Sequence, residues 1–139
     1  MAHTRKLDRI LRVRTLQLGL VRAEEARANE RVVSETSLKN RIAQLAEGIA
    51  PAPSGGHAFS MIAAAHFRDR LQQSAEAADA RLRVAEQGVE RAANASREAK
   101  RDQSAIEKLL ARADAEAAIK AIRAMESAPS VRKIRHDPC

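Results

Sequence analysis

The sequence predicts an all-α protein: two long helices forming an antiparallel coiled-coil hairpin, the second helix longer and overhanging the first. Three observations carry this. Helix breakers cluster once, at Ala50-Pro51-Ala52-Pro53-Ser54-Gly55-Gly56 with Gly48 just ahead, and helical patterns run away on both sides. Proline removes a backbone donor and clashes with the preceding turn, and glycine loses the most backbone entropy in a helix. Aromatics make up 1% of the chain, Phe59 and Phe67 alone, while Ala, Arg, Glu and Leu dominate. That composition suits a narrow seam between long helices better than a thick globular core. Finally, apolar and small residues recur every three and four positions along both arms, the period of a left-handed coiled coil.

The 139 residues are read as a single coiled-coil domain: a helix over 5–48, a bend over 49–59, a helix over 60–126 and a flexible basic tail over 127–139. Thr4 is a candidate N-cap for the first helix. Its stripe runs Leu7, Leu11, Leu18, Val21, Ala28 and Val32, interrupted by Arg14 and Glu25. A strict heptad would next ask for 35 and 39, where Glu35 and Lys39 stand, while apolar residues restart at Leu38, Ile42, Leu45 and Ile49. The expectation is a register shift near residue 35, as a stammer or stutter produces. Gly48 followed by Pro51 ends the helix in the usual order.

The second helix is expected to start near Ser60, with Phe59 stapled onto its first turn. From there the pattern is regular: Leu71, Ala75, Ala78, Leu82, Ala85, Val89, Ala92, Ser96, Ala99, Gln103, Ile106, Leu110, Ala113, Ala117. Ser127 and Pro129 stop it. Folding back at 54 and 55 places Ile42 near Phe67, Leu38 near Leu71 and Leu7 near residue 102. About 24 residues, or ~36 Å at 1.5 Å per residue, then lie beyond the first arm. Ile106, Leu109, Leu110, Ile119, Ile122 and Met125 keep that overhang amphipathic, so it is a predicted binding surface. The same folding brings Gly19 and Gly88 nearly opposite each other, either by tolerated drift or as a soft joint or close backbone contact. Each costs about 1 kcal/mol relative to alanine in a helix interior.

The formal net charge is +7, from 25 Lys+Arg against 18 Asp+Glu. Arg5, Lys6, Arg9, Arg12 and Arg14 outweigh Asp8 near the start, so one end of the hairpin is basic and the bend end is near neutral. Such a balance suits nucleic acid, an anionic membrane or an acidic protein cavity. Against nucleic acid, the long arms are mixed in sign and no aromatic platform exists for stacking bases. No stretch approaches the ~20 apolar residues of a membrane span, and the start has no clean apolar signal core. The expectation is a soluble, cytoplasmic chain.

Chemistry is sparse. Gly55-Gly56 lacks the Gly-Lys-Ser/Thr of a phosphate loop. His57 and His66 have no cysteine with them and no usual metal spacing, so they read as solvated side chains. Asp8/Arg12 and Glu116/Lys120 are i,i+4 surface pairs. Asn94-Ala-Ser96 matches a glycosylation triplet inside a helix, and Cys139 has no base near it in sequence. No catalytic, metal or cofactor-binding residue is expected, and the chain is read as not an enzyme.

Arg97-Glu-Ala-Lys-Arg-Asp-Gln-Ser-Ala-Ile-Glu-Lys-Leu-Leu-Ala-Arg112 is similar to the basic Arg-Glu-x-Lys segment and leucine-bearing helix end of the FliJ family of flagellar type III export proteins. Phe67-Arg-Asp-Arg-Leu71 resembles that family's Phe-x-x-x-Leu just after the bend. The resemblance implies a stalk inserted into the export ATPase ring, touching the membrane export gate and export chaperones, peripheral at the inner face of the cell membrane without inserting. Carried over by position, the gate-binding surface would fall on Leu38, Ile42, Leu45 and Ile49 of the first arm. On the second arm it would include Phe67, Leu71, Ser74 and Ala78. Charge and overhang place the ATPase-ring end at Arg5, Lys6, Arg9 and Arg12 with Ile106, Leu110, Ile119 and Ile122. Alternative readings are the stalk of a virulence-type secretion system, a generic coiled-coil adaptor, and a basic nucleic-acid-associated protein.

Overall fold

A computed structural model describes residues 2–48 and 58–129, with side chains described over 4–48 and 61–129. The described residues form two α-helices, α1 (Ala2–Gly48) and α2 (Ala58–Glu126), paired antiparallel as a helical hairpin in which α2 is the longer. Both are rich in Ala, Arg, Glu and Leu, strong helix formers, and α2 has little β-branching. α1 begins at Ala2 rather than at residue 5, so Thr4 lies inside the helix, half-buried, instead of capping it. Likewise α2 begins at Ala58, two residues earlier than expected. Its C-terminus is where Ser127 predicts: the Ser127 N–H donates to the Arg123 carbonyl at 3.0 Å, and its hydroxyl donates to Ala124 at 3.1 Å. Arg123 lies in that last turn, where a cation complements the helix dipole. Residues 49–57 of the expected bend over 49–59, with Ile49 and His57 among them, the Phe59 side chain and the tail from residue 130 fall outside the described residues.

On α2 the predicted heptad is the interface. The thirteen positions from Leu71 to Ala113 are buried or half-buried, and only the fourteenth, Ala117, is exposed. Pairing with α1 therefore ends near Ala113.

On α1 the expected register shift does not occur. Residues 4, 7, 11, 14, 18, 21, 25, 28, 32 and 35 are all buried or half-buried, an unbroken alternation of three and four that reaches Ile42 through position 39. Leu38 and Leu45, which were to restart the seam, are 39% and 56% exposed. The physical reason is that the charged residues are accommodated on the seam itself. Arg14 Nη1 donates to Asp102 Oδ2 at 3.1 Å, Arg81 Nε donates to Glu35 Oε2 at 3.2 Å, and Lys39 Nζ meets Asp79 Oδ1 at 2.7 Å. Each pair spans the two helices and leaves its charges partly in water, so the desolvation cost of a buried pair is avoided.

The chain divides into two compact units, Met1–Thr15 with Arg101–Cys139, and Leu16–Lys100. Within the first, Leu7 is buried, Arg14 faces Asp102, and the Gln103 amide donates to the Thr15 hydroxyl at 3.1 Å. Within the second, Leu18, Ile42 and Ala78 are buried, and Glu35 faces Arg81. In both, the pairs fix a register one heptad away from that expected. Ile42 shares a groove with Leu71 and Ala75 rather than facing Phe67, Leu38 lies level with Asp79 rather than Leu71, and Leu7 lies level with residue 110 rather than 102. An antiparallel seam can slide only by whole heptads without turning its apolar face outward. Here the charge pairs select the step. Gly88 consequently shares a groove with Ala28 rather than opposing Gly19, and a Cβ at either glycine would meet nothing within 4 Å. The close-contact reading of the glycines is thereby set aside.

Candidate partner-binding surfaces

The register determines which of the residues assigned to partners are available. Of the first set, Ala78 is fully buried and Ile42 is 9% exposed, so both are committed to the contact between α1 and α2. Leu71 is half-buried in the same seam, next to Ala75. Leu38, Leu45, Phe67 and Ser74 are exposed, Phe67 at 51%. Gly48, the last residue of α1, lies level with position 69 in this register, so the first turns of α2 run past the end of α1. That is why Phe67 is open, and Met61 and Ile62 with it. The sequence pattern does not single out these last two. They precede the regular heptad, and their signal was only two adjacent large apolar residues one turn after Ala58.

The second set divides in the same way. Arg5, Lys6, Arg9 and Arg12 are all exposed on α1. Ile106 and Leu110 are half-buried seam residues lying along the first turns of α1, whereas Ile119 and Ile122 are exposed. From Asp114 to the end of α2 every side chain is exposed. The overhang is thus real but shorter than expected: the one-heptad slide moves the partner of Leu7 from residue 102 to residue 110, and the seam runs one turn further to Ala113 along Thr4. Ile10 and Val13, also absent from the predicted sites, are exposed at 43% and 52% among the basic residues of α1.

Asp79 is held below its ordinary value of 3.8, first by its hydrogen bond from Lys39, then by the charges of Lys39 and Arg83, with desolvation opposing. This pair lies along the seam beside the groove of Ile42 and Leu71. Its geometry is that of a register clamp. His66 is exposed, and among the described residues no group of three or more His, Cys, Asp or Glu side chains is placed to hold a metal ion. Among the same residues no helix is long and apolar enough to cross a membrane. Comparison with family models, curated proteins and solved structures returns no match.

Proposed function

We propose that this chain is a non-enzymatic stalk of the flagellar type III export apparatus, linking the export ATPase ring to the membrane export gate and to export chaperones. The observation that supports the reading best is the inequality of the two helices. The seam ends at Ala113, yet α2 continues to Glu126 with Ile119, Ile122 and Met125 exposed. An isolated helix of this length is marginal in water, so its apolar side chains favour a role in holding a partner. The segment would enter the ATPase ring together with the basic turns of α1, and the stalk would turn or shift as the ring hydrolyses ATP. Among the described residues the gate-binding surface would contract to Leu38, Leu45, Phe67 and Ser74, since Ile42, Leu71 and Ala78 pack in the seam. The protein would work in the cytoplasm, peripheral to the inner face of the membrane.

The test is a binding assay with purified export ATPase and with the cytoplasmic part of the export gate. Ile119→Ser with Ile122→Ser should weaken the ATPase complex at least tenfold, and Phe67→Ala should weaken gate binding with helicity unchanged. Failure of the unaltered chain to bind either protein would remove the reading. Salt-sensitive binding to DNA or RNA in its place would favour a nucleic-acid-associated protein.

A further inference from the structure

We propose that the outward face of the first turns of α1, formed by Arg5, Lys6, Arg9, Ile10, Arg12 and Val13, is a docking surface for an anionic phospholipid bilayer. Leu7, Leu11 and Arg14 face α2, and at ~100° per residue the six named residues fall within an arc of roughly 160° centred away from that seam. All six are exposed. Among the described residues none of the four cations enters an ion pair, so the expected Asp8–Arg12 pair is not formed, in contrast to Arg14, which is held by Asp102.

Charge localises the surface to α1. In the same compact unit, α2 from Arg101 to Glu126 carries Arg101, Lys108, Arg112, Lys120 and Arg123 against Asp102, Glu107, Asp114, Glu116 and Glu126, which balance. The α1 portion has only Asp8 to offset its cations. Among the described residues of this unit, the excess positive charge therefore comes from α1.

The apolar pair decides between partners. Ile10 and Val13 lie among the cations rather than on the seam. A phosphate backbone would use the cations and leave these two side chains in water. A helix lying in the plane of a bilayer uses both: cations reach the headgroups while their stems and the apolar residues sit at the acyl boundary. With only two modest apolar residues on this face, the binding would be reversible and strongly salt-dependent. Arg5, Lys6, Arg9 and Arg12 are also the cations assigned above to the ATPase ring, so bilayer and ring would compete for them. The lipid contact does not depend on the stalk reading.

The experiment is co-sedimentation of the full chain with vesicles of phosphatidylcholine alone and of phosphatidylcholine with phosphatidylglycerol, at low and high salt. Binding to the anionic vesicles only, lost at high salt, is expected. Arg5→Gln with Arg9→Gln and Arg12→Gln should weaken it at least tenfold, and Ile10→Ser with Val13→Ser severalfold, with helicity checked by circular dichroism. Lys108→Gln with Lys120→Gln on α2 should leave it unchanged. No binding to anionic vesicles, equal binding to neutral ones, or equal loss in the α2 variant would overturn the proposal. So would undiminished binding by the Ile10/Val13 variant, which would mark a general polyanion site suited to nucleic acid or an acidic protein. Neither result would bear on ATPase binding, which is measured separately.

Discussion

Glu35 accepts a hydrogen bond from Arg81 Nε at 3.2 Å, from a heptad position that a large aliphatic residue would ordinarily hold. The pair sets which turn of α2 lies against which turn of α1. Sliding the helices by the one heptad that a tight bend at residues 54 and 55 would impose brings Glu35 level with Ser74 and Lys39 level with Arg70, so opposite charges lose each other. Cross-linking reads the register directly. In a Cys139→Ser background, Ala28→Cys with Gly88→Cys should be joined rapidly by a short bis-maleimide, because the two positions line one groove. Ile42→Cys with Phe67→Cys should react far more slowly. The reverse order of rates would mean that the helices pair in the other register.

The Lys39–Asp79 pair gives a signature in pH. Asp79 is held below its ordinary 3.8 chiefly by the Lys39 hydrogen bond. A carboxylate depressed in the folded state contributes stability that is fully present above its unfolded pKa and is lost as pH falls through the folded value. Lys39→Gln should therefore raise the Asp79 pKa towards 3.8. The melting temperatures of parent and variant should differ by a constant amount above about pH 5 and converge as the pH drops through the carboxylate range. A gap that persists unchanged into strong acid would show that Lys39 acts through packing rather than through Asp79. Carboxyl chemical shifts followed by NMR provide the independent check.

Much of this fold is legible in the sequence, and what is not traces to particular residues. The α2 seam can be read position by position because small and apolar residues mark it from Leu71 to Ala113 without a charged interruption. α1 reads correctly as far as Val32. Beyond it, Glu35 and Lys39 look like a broken heptad, and the neighbouring Leu38 and Leu45 look like its replacement. A rule that seam residues are apolar fails here because the partners, Arg81 and Asp79, lie on the other arm. One signal was available: Arg14 and Glu35 are three heptads apart, as are Arg81 and Asp102, with opposite charges in antiparallel order. The candidate sites were less legible for the same reason. Burial of Ile42 and Ala78, and exposure of Ile10, Val13, Met61 and Ile62, follow from the register and not from residue type.

Gly88 offers a test with an unusual sign. A Cβ there would meet nothing within 4 Å, and the backbone is helical with no positive φ. Alanine should fit without strain and reduce the entropy of the unfolded chain. Gly88→Ala should then stabilise the protein by about 0.5–1 kcal/mol in thermal or urea unfolding. Gly19→Ala should do the same, since its surroundings are equally open. A loss of stability in either variant would reinstate a close backbone approach.

The end of α2 separates folding from function. Every side chain from Asp114 to Glu126 is exposed, and the last seam residue before it, Ala113, is only half-buried. Replacing Ile119 and Ile122 with serine removes apolar surface that packs against neither helix of the hairpin. Unfolding free energy should change by no more than about 0.5 kcal/mol, the usual range for surface positions. Far-ultraviolet circular dichroism should fall slightly, because serine is a comparable helix former to isoleucine and only the unpaired turns can fray. A partner that needs this face should lose at least tenfold in affinity. Leu18→Ala provides the opposite case: it empties a buried seam position and should cost about 2–5 kcal/mol while leaving the Ile119 and Ile122 face chemically intact. If the serine variant instead lowered the melting temperature as much as Leu18→Ala, the end of α2 would be part of the folded core and no longer a candidate surface for a partner.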